Sequence, residues 1–281
     1  MDLKGFCKGY AVALGNFDGV HLGHNEVINT ARQKARELDC HSAVITFAPH
    51  PAKVLSNNIF QEILSFDEKV SIIKSLGVDQ VIVINFTEEL SKMPAESFIN
   101  ELCEKLNIKS ITTGYNFRFG YNRHGDIKTI NSLKKKYHFK FNTINQILYN
   151  HSHISSSVLR QVIKLGCLKL FSQLTGRQYY IECQYLNSTE GYHSYNISNT
   201  NLLMPPDGVY LGKVSENYGC IFLNGSNVKL KLLESNGKIL TTQTKVTLLN
   251  ILGQESELDK SYGNELKIGS YIKKAKFCLN L

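Results

Sequence analysis

The chain has 281 residues, a length that predicts two domains because single domains cluster at about 100 to 200 residues. With 20% charged and 42% hydrophobic residues and no low-complexity tract, its composition is that of an ordinary globular protein and excludes a disordered one. The formal net charge of +8 favours anionic partners, and charge alone leaves nucleic acid, membrane lipid and small phosphorylated metabolites open.

The N-terminal segment carries charges and glycines where a secretion signal needs an apolar core, and no apolar run of about 18 residues follows it. The seven cysteines are scattered and form no CxxC pair, which argues against a zinc site and against a disulfide framework. We therefore expect a cytoplasmic protein with reduced cysteines and no membrane partner.

Up to residue 175, segments typical of strands alternate with segments typical of helices. In chain order these segments are YAVAL (10–14), NEVINTARQKAREL (25–38), SAVITF (42–47), DEKVSIIKSLG (67–77), QVIVINF (80–86), PAESFINELCEKLN (94–107) and SITTGYNF (110–117). Strands and helices that take turns predict parallel βαβ units wound in the right-handed sense. The first half is therefore expected to be an α/β domain.

Beyond residue 175 the sequence shows no helical period. The strand-like segments there are YYIECQYL (179–186), GVYLGKVS (208–215), GCIFL (219–223), NVKLKLLE (227–234) and KILTTQTKVTLLNIL (238–252). Asn236 and Gly237 give a hairpin signal between the last two. These patterns predict a small antiparallel β domain, and we place the two domains at residues 1–177 and 178–281.

The stretch GNFDGVHLGH, residues 15–24, lies where the first strand should turn into the first helix. In a parallel α/β sheet this loop is where helix amides and the positive end of the helix dipole can hold phosphate. Gly15, Gly19 and Gly23 permit close backbone approach, and His21 and His24 can donate hydrogen bonds to phosphate oxygens. The stretch therefore predicts a phosphate-binding loop.

Other interpretations of this loop stay open at the level of the residues alone. No Walker lysine follows, which excludes a P-loop, and the glycine spacing is not the dinucleotide GxGxxG. Asp18 and Gly19 could form an ordinary tight turn, and the two histidines could be a chance pair. A metal site on HxxH lacks further ligands nearby.

Residues 15–24 resemble the HxGH signature of the adenylyltransferase superfamily, in the extended form GxFDGxHxGH of bacterial FAD synthetases. TFAPHPAKVL (46–55), GYNFRFGYNRHGD (114–126) and ISSSVLR (154–160) are similar to three further motifs of that family, in the same order and spacing. The resemblance covers roughly the first 180 residues. It implies a Rossmann-like HxGH nucleotidyltransferase sheet followed by a small antiparallel β-barrel, and transfer of AMP from ATP to FMN, giving FAD and pyrophosphate.

The same resemblance implies roles for individual residues. The implied catalytic residues are His21, His24 and Arg160; the ATP-binding residues are Gly15, Asn16, Phe17, Gly23, Ser155, Ser156 and Ser157; the flavin-binding residues are His50, Pro51, Asn116, Arg118 and Asp126. No metal ligand from the protein is implied, and Mg²⁺ is expected to enter with ATP. Ser157 stands where threonine is usual, and Val158 occupies a position that is often basic in the family.

The C-terminal half departs from the riboflavin kinase module that follows in bifunctional members of the family. GVY is present at 208–210, but the motif GRxxGFPTAN is missing, and at best His193, Ser194 and Asn196 align with fragments of it. Lys229 stands at the position of the family's general base, a glutamate. Because a protonated ammonium cannot accept the riboflavin hydroxyl proton, we expect a kinase-like barrel without kinase activity.

Three alternatives remain. The chain could be an active bifunctional riboflavin kinase/FMN adenylyltransferase with divergent motifs, an adenylyltransferase acting on phosphopantetheine or a polyol phosphate, or a non-catalytic flavin-sensing regulatory protein. The aromatic and arginine residues of FRFGYNRHGD could also suggest RNA recognition, but no partner RNP2 strand is present. We therefore expect small-molecule partners and no nucleic acid, and the sequence leaves the oligomeric state open.

Overall fold

A computed structural model describes residues 8–56, 59–150, 152–234, 243–254 and 265–279, and the chain divides into two compact units, Met1–Ser156 and Ser157–Leu281. The first unit contains a five-stranded sheet of β1 Tyr10–Leu14, β2 His41–Ala48, β3 Gln80–Asn85, β4 Ile108–Gly114 and β5 Lys140–Ile144. The strand order is β3-β2-β1-β4-β5 and every pair is parallel. The parallel sheet predicted for the first half is confirmed.

Helices connect these strands. They are α1 Leu22–Glu37, α2 Pro51–Leu55, α3 Phe66–Ser75, α4 Glu88–Ser91, α5 Ala95–Leu106 and α6 Ile127–Leu133. The strand order reverses direction between β1 and β4, and in sheets of this kind ligands bind beyond the carboxyl ends of the strands at that point. The topology therefore predicts a ligand-binding site at the loop that leaves β1.

Two of the predicted boundaries in this unit move by three residues, and one strand pair is added. Helix α1 begins at Leu22 instead of Asn25, because His21 caps its first turn. Strand β4 ends at Gly114 instead of Phe117, and a turn follows in which the Phe117 amide donates to the Gly114 carbonyl at 3.1 Å. A short antiparallel pair, β6 Leu148–Tyr149 and β7 Ser152–His153, precedes the end of the unit.

The second unit contains a closed antiparallel barrel with the order β10-β11-β12-β9-β8-β13. Its strands are β8 Tyr179–Thr189, β9 Tyr192–Ile197, β10 Gly208–Val214, β11 Asn217–Asn224, β12 Asn227–Leu232 and β13 Gln243–Gln254. Two helices, α7 Ser156–Lys164 and α8 Leu168–Thr175, lead into it. The barrel expected from the resemblance is confirmed; the predicted hairpin at Asn236 and Gly237 lies outside the described residues.

The expectation that no helix follows residue 175 is wrong. Helix α9, Glu265–Leu279, packs on the outer face of the barrel, where Tyr271 and Ala275 are buried beside Val209 and Phe222. The two buried helix residues are four apart, the spacing of one helix face. The helix depends on this apolar contact, since most helical stability in proteins comes from packing.

Candidate active site

The loop from Gly15 to His24, here called the HxGH loop, leaves the carboxyl end of β1 in a tight turn. The Gly15 amide donates to the Ile45 carbonyl of the neighbouring strand at 3.1 Å, and the Val20 amide donates to the Phe17 carbonyl at 3.2 Å. Phe17 and Val20 have positive φ angles of 52° and 37°, a region that side chains other than glycine rarely adopt. Backbone conformations of this kind cluster at ligand-binding sites.

The two histidines of the loop lie against each other. Their ring centroids are 3.6 Å apart with the planes inclined by 15°. His21 Nδ1 accepts the His24 backbone amide at 3.2 Å, which caps α1. A Cβ at Gly23 would lie 3.1 Å from the His21 ring, and Phe17 packs edge-on against His24 with centroids 5.3 Å apart. The structure thus brings four predicted residues of the loop together.

The imidazole of His21 is held in one tautomer by this cap. Because Nδ1 accepts the amide hydrogen of His24, a neutral His21 ring carries its proton on Nε2. That nitrogen is then a hydrogen-bond donor at the amino end of α1. A donor at a helix amino terminus is suited to an anionic oxygen.

His50 joins the HxGH loop to the segment after β2. Its Nε2 contacts the side-chain amide of Asn16 and lies 4.0 Å from the carboxylate of Asp18. Its Nδ1 accepts the Ala52 amide at 3.1 Å, which caps the short helix α2 that Pro51 begins. The ring of Phe60 stacks on His50 at a centroid distance of 4.2 Å. His50 therefore both caps α2 and contacts the HxGH loop.

Ser156, the last residue of the first unit, reaches the same loop. Its hydroxyl donates to the backbone carbonyl of Asp18 at 2.8 Å. Ser155 lies just before α7, and Ser157 and Arg160 lie on α7 in the second unit. The predicted roles of these three residues remain proposals.

An aromatic cleft of about 1140 Å³ adjoins the HxGH loop in the first unit. Its lining includes Asn16, Phe47, His50, Pro51, Phe86, Phe117, Arg118 and Phe119. Asn16 and His50 thus belong both to the loop region and to the cleft. Large apolar clefts with a few polar groups are the usual sites for small-molecule ligands.

Residues 117–123 form one edge of the cleft, and Asp126 supports this edge. Phe117 and Phe119 stack with centroids 5.4 Å apart, and the Arg118 guanidinium pairs with the Asp126 carboxylate at 2.9 Å. Asp126 also caps α6 by accepting the amides of Lys128 and Thr129 at 2.9 and 3.0 Å. The Asp126 carboxylate therefore binds the first turn of α6 and Arg118. Asn116 lies in the turn after β4.

Two residues beneath the loop were not predicted from the sequence. Lys69 of α3 is only 6% exposed, and its Nζ donates to the Phe47 carbonyl at 3.1 Å. The Thr46 hydroxyl donates to the Asn16 carbonyl at 3.1 Å. Helical spacing could have predicted the burial of Lys69, because it lies four residues before the buried Ile73 and so shares the inward face of α3.

In the barrel, Lys229 is exposed on β12, and in the register of the strands it lies opposite Ser194 of β9. His193, Ser194 and Asn196 lie on β9 rather than in a phosphate-binding loop, and a two-residue turn at Glu190 and Gly191 joins β8 to β9. Burial lowers the pKa of His193 below its ordinary value.

Among the residues described, no three His, Cys, Asp or Glu side chains are grouped as a metal site. The cysteines at 40, 103, 167, 183, 220 and 278 are free thiols, and Cys7 lies outside the described residues. No helix in the described ranges is long and apolar enough to span a membrane.

Comparison with known proteins places this geometry in a family. The model of the family described as FAD synthetase matches residues 4–158. A bifunctional riboflavin kinase/FMN adenylyltransferase of Buchnera aphidicola subsp. Schizaphis graminum is 33% identical over 238 residues, which is 82% of this chain and 76% of the relative. Its counterpart from Buchnera aphidicola subsp. Acyrthosiphon pisum is 30% identical over 279 residues, covering 97% and 87%.

A solved structure also matches the fold. The crystal structure of a protein named macrolide-efflux protein from Streptococcus pneumoniae has a TM-score of 0.83, covers 97% of this chain and 94% of its own, and is 20% identical in sequence. At that level of identity the likeness concerns the fold alone. It supports the order of a parallel sheet followed by a closed barrel.

Proposed function

The chain belongs to the FAD synthetase family, and we propose that it forms FAD by transferring the adenylyl group of ATP to FMN with release of pyrophosphate. The observation that carries this proposal is the continuity of the site. Asn16 lies in the HxGH loop and also lines the aromatic cleft, and its side chain contacts His50 of the cleft. A nucleotide on the loop and a flavin in the cleft would therefore meet at one place.

The reaction needs alignment more than proton transfer. The attacking group is the phosphate of FMN, a monoester whose second pKa is about 6, so it is mostly dianionic at neutral pH. No protein base has to activate it. The chain instead supplies donors that bind the triphosphate, orient it and stabilise charge on the α-phosphate and the leaving pyrophosphate.

In this scheme His24 donates to the α-phosphate and stabilises the charge that develops there. The cap to α1 leaves the proton of a neutral His21 ring on Nε2, and in this scheme that nitrogen donates to a phosphate oxygen. Gly15, Phe17 and Gly23 allow the backbone to approach the phosphates. The resemblance also assigns Ser155, Ser157 and Arg160 to ATP binding, and the proposal keeps that assignment.

Mg²⁺ would arrive on the phosphates of ATP. The structure offers the ion no cluster of three protein ligands among the described residues. Mg²⁺ in sites of this kind keeps several waters and binds mainly through substrate phosphates. When bound it supplies positive charge that neutralises the triphosphate.

The flavin ring system would occupy the aromatic cleft. Phe117 and Phe119 offer stacked aromatic surface, and His50 and Pro51 form the opposite part of the lining. Aromatic side chains bind planar ring systems through burial and stacking. Arg118 and Asn116 provide polar contacts to FMN at the edge of the cleft, and Asp126 acts by holding Arg118 in place.

We propose that the adenylyltransferase module runs to residue 177 and that the barrel domain begins at residue 178. The compact units divide earlier, after Ser156, because α8 packs on the barrel through Phe171 and Tyr179, whose rings are 5.4 Å apart. A functional module and a compact unit need not share a boundary. The free thiols described above are usual in a reducing compartment, and we propose a cytoplasmic enzyme.

The barrel is proposed to have lost riboflavin kinase activity. Lys229 stands where the family has its glutamate base, and an ammonium group cannot accept the proton of the riboflavin hydroxyl. The segment aligned with the kinase phosphate loop is a strand, β9. The names of the relatives favour the second candidate, a bifunctional enzyme that keeps this activity.

One assay separates these functions. The purified chain is incubated with ATP and Mg²⁺ and with FMN, riboflavin, phosphopantetheine or a polyol phosphate as the acceptor, and products are separated by liquid chromatography. Among these acceptors, only FMN is expected to react, giving FAD and pyrophosphate. FMN or FAD formed from riboflavin would show that the barrel is an active kinase, and absence of FAD from FMN would refute the adenylyltransferase.

A further inference from the structure

Lys69 is a buried lysine directly beneath the HxGH loop. Its Nζ donates to two backbone carbonyls, that of Phe47 near the carboxyl end of β2 at 3.1 Å and that of Asn16, just after β1, at 3.5 Å. The ammonium also lies 5.7 Å from the centroid of the Phe66 ring. Lys69 thus links the carboxyl ends of β1 and β2 at the point where the loop begins.

The position is costly for a lysine. Burial lowers the pKa of Lys69 below its ordinary value, and the nearby carboxylates of Asp18 and Glu62 partly oppose that change. A leucine or isoleucine on the inward face of α3 would avoid the cost of burying a charge. Packing alone therefore gives no reason for a lysine here.

The Asn16 carbonyl is the informative partner. It accepts the Thr46 hydroxyl at 3.1 Å as well as the Lys69 ammonium. In a trans peptide the carbonyl of one residue and the amide hydrogen of the next point in opposite directions. The two donors, Thr46 of β2 and Lys69 of α3, hold the Asn16 carbonyl on their side of the peptide, so the Phe17 amide hydrogen points to the opposite side.

That amide makes no hydrogen bond to any residue in the described part of the chain. Phe17 itself is only 2% exposed and has a positive φ of 52°, so its peptide is held in an uncommon conformation. A backbone amide beside the amino terminus of α1, without an internal partner, is suited to an anionic phosphate oxygen.

From these contacts we infer that Lys69 is a positioning residue for adenylyl transfer, which fixes the Asn16–Phe17 peptide so that the Phe17 amide faces the triphosphate. Its positive charge also lies beneath the loop that binds the negative phosphates. The inference rests on the proposed function, because it assigns the triphosphate to the HxGH loop. Its role is to orient a donor, and no direct contact with the reacting atoms is implied.

The test uses the full-length chain with Lys69→Met and Lys69→Gln. Methionine keeps an unbranched apolar side chain without the charge or the donors, whereas glutamine keeps a donor without the charge, and both side chains end one bond short of the lysine nitrogen. Lys74→Met is the matched control, because Lys74 is exposed on the same helix. Ile130→Ala, at a buried core position of α6, controls for lost stability alone.

Steady-state FAD formation is measured with ATP and FMN varied separately. In Lys69→Met we expect kcat to fall about 10-fold or more while the KM for FMN changes less than about 3-fold, because only phosphate alignment is lost. The kcat of Lys69→Gln is expected to lie between that of Lys69→Met and that of the wild type. Both control variants should keep the wild-type kcat.

Amide hydrogen exchange of residues 15–20 without nucleotide gives a second readout. We expect faster exchange there in Lys69→Met and unchanged exchange in Lys74→Met. A folded Lys69→Met with wild-type kcat and wild-type exchange would overturn the inference. If the Met variant does not fold, a folded Lys69→Gln with wild-type kcat and exchange overturns it equally.

The two levels of failure are distinguishable. If the wild-type chain forms no FAD from FMN, the proposed function fails, and the exchange experiment still decides whether Lys69 fixes the loop. If the wild-type chain is active and Lys69→Met matches it in both readouts, only the positioning role fails.

Discussion

The hydroxyl of Ser156 donates a hydrogen bond of 2.8 Å to the backbone carbonyl of Asp18, a residue 138 positions earlier in the chain. The contact joins the serine motif at the end of the first unit to the HxGH loop. Because the hydroxyl proton is engaged by a carbonyl, we expect Ser156 to influence ATP binding by fixing the shape of the loop. The direct ATP contact that the resemblance implies for Ser156 stays a prediction.

Replacing Ser156 by alanine removes this link. We expect Ser156→Ala to lower the kcat for FAD formation about 10-fold and the free energy of unfolding by about 1 kcal/mol, the typical value of one intramolecular hydrogen bond. The measurements are initial rates and urea unfolding. Ser132→Ala, on the exposed surface of α6, serves as the control, and equal rates in the two variants would contradict the role.

Alanine substitutions at the two stacked histidines are expected to differ in their effects on kcat and on stability. His24→Ala should lower kcat about 100-fold, the usual loss when one donor to a developing charge is removed, with little change in stability. His21→Ala should lower the rate and also cost about 1 kcal/mol of unfolding free energy, because it removes the cap of α1.

Rates and thermal unfolding of both histidine variants are compared with Glu26→Ala, an exposed neighbour on α1. A His24→Ala variant whose FAD formation stays within a few-fold of wild type would disprove its role. A His21→Ala variant of unchanged stability would show that the cap contributes nothing.

Phe117 tests the assignment of the aromatic cleft. We expect Phe117→Ala to raise the KM for FMN about 10-fold with little change in kcat, since stacking stabilises bound substrate and transition state equally. Quenching of flavin fluorescence on binding gives the affinity directly. The control is Phe277→Ala, whose side chain is 85% exposed on α9. An unchanged FMN affinity in Phe117→Ala would place the flavin elsewhere.

Asp126 gives a pH-dependent prediction. The Thr129 amide above all, with the Lys128 amide and Arg118, lowers the pKa of the Asp126 carboxyl below its ordinary value. A carboxyl with a lowered pKa in the folded state stabilises above its unfolded pKa of about 3.9, and this contribution disappears as the pH falls through the folded value. Asp126→Ala should therefore have a lower Tm than wild type at pH 7.

The difference in Tm should narrow as the pH falls below about 4, because the wild-type carboxyl then gains its proton. Thermal unfolding is recorded across this range, with Glu216→Ala, whose side chain is 92% exposed, as the control. A Tm difference that does not vary with pH would show that the charge of Asp126 is unimportant to the cap.

Local sequence patterns were sufficient to predict most strands and helices of the first unit. The apolar run at 10–14 and the helical spacing before Gly77 predicted β1 and α3 correctly, because short-range periodicity reflects which face of an element is buried. The polar strand β9 and helix α9 were missed. Strand β9 forms because it pairs between β8 and β12 and closes the barrel, and α9 contains Gly269, which weakens its helical pattern.

The amino-acid sequence by itself determined the alternating α/β architecture, the order of the motifs and the family to which they belong, since these depend on residue type and spacing along the chain. Only the tertiary structure decided that Ser156 binds the Asp18 carbonyl, that Asp126 serves α6 and Arg118, and that Lys69 lies beneath the loop. Periodicity tells which side of a helix or strand faces inward. The groups that it meets there depend on how distant segments pack, and no local pattern carries that information.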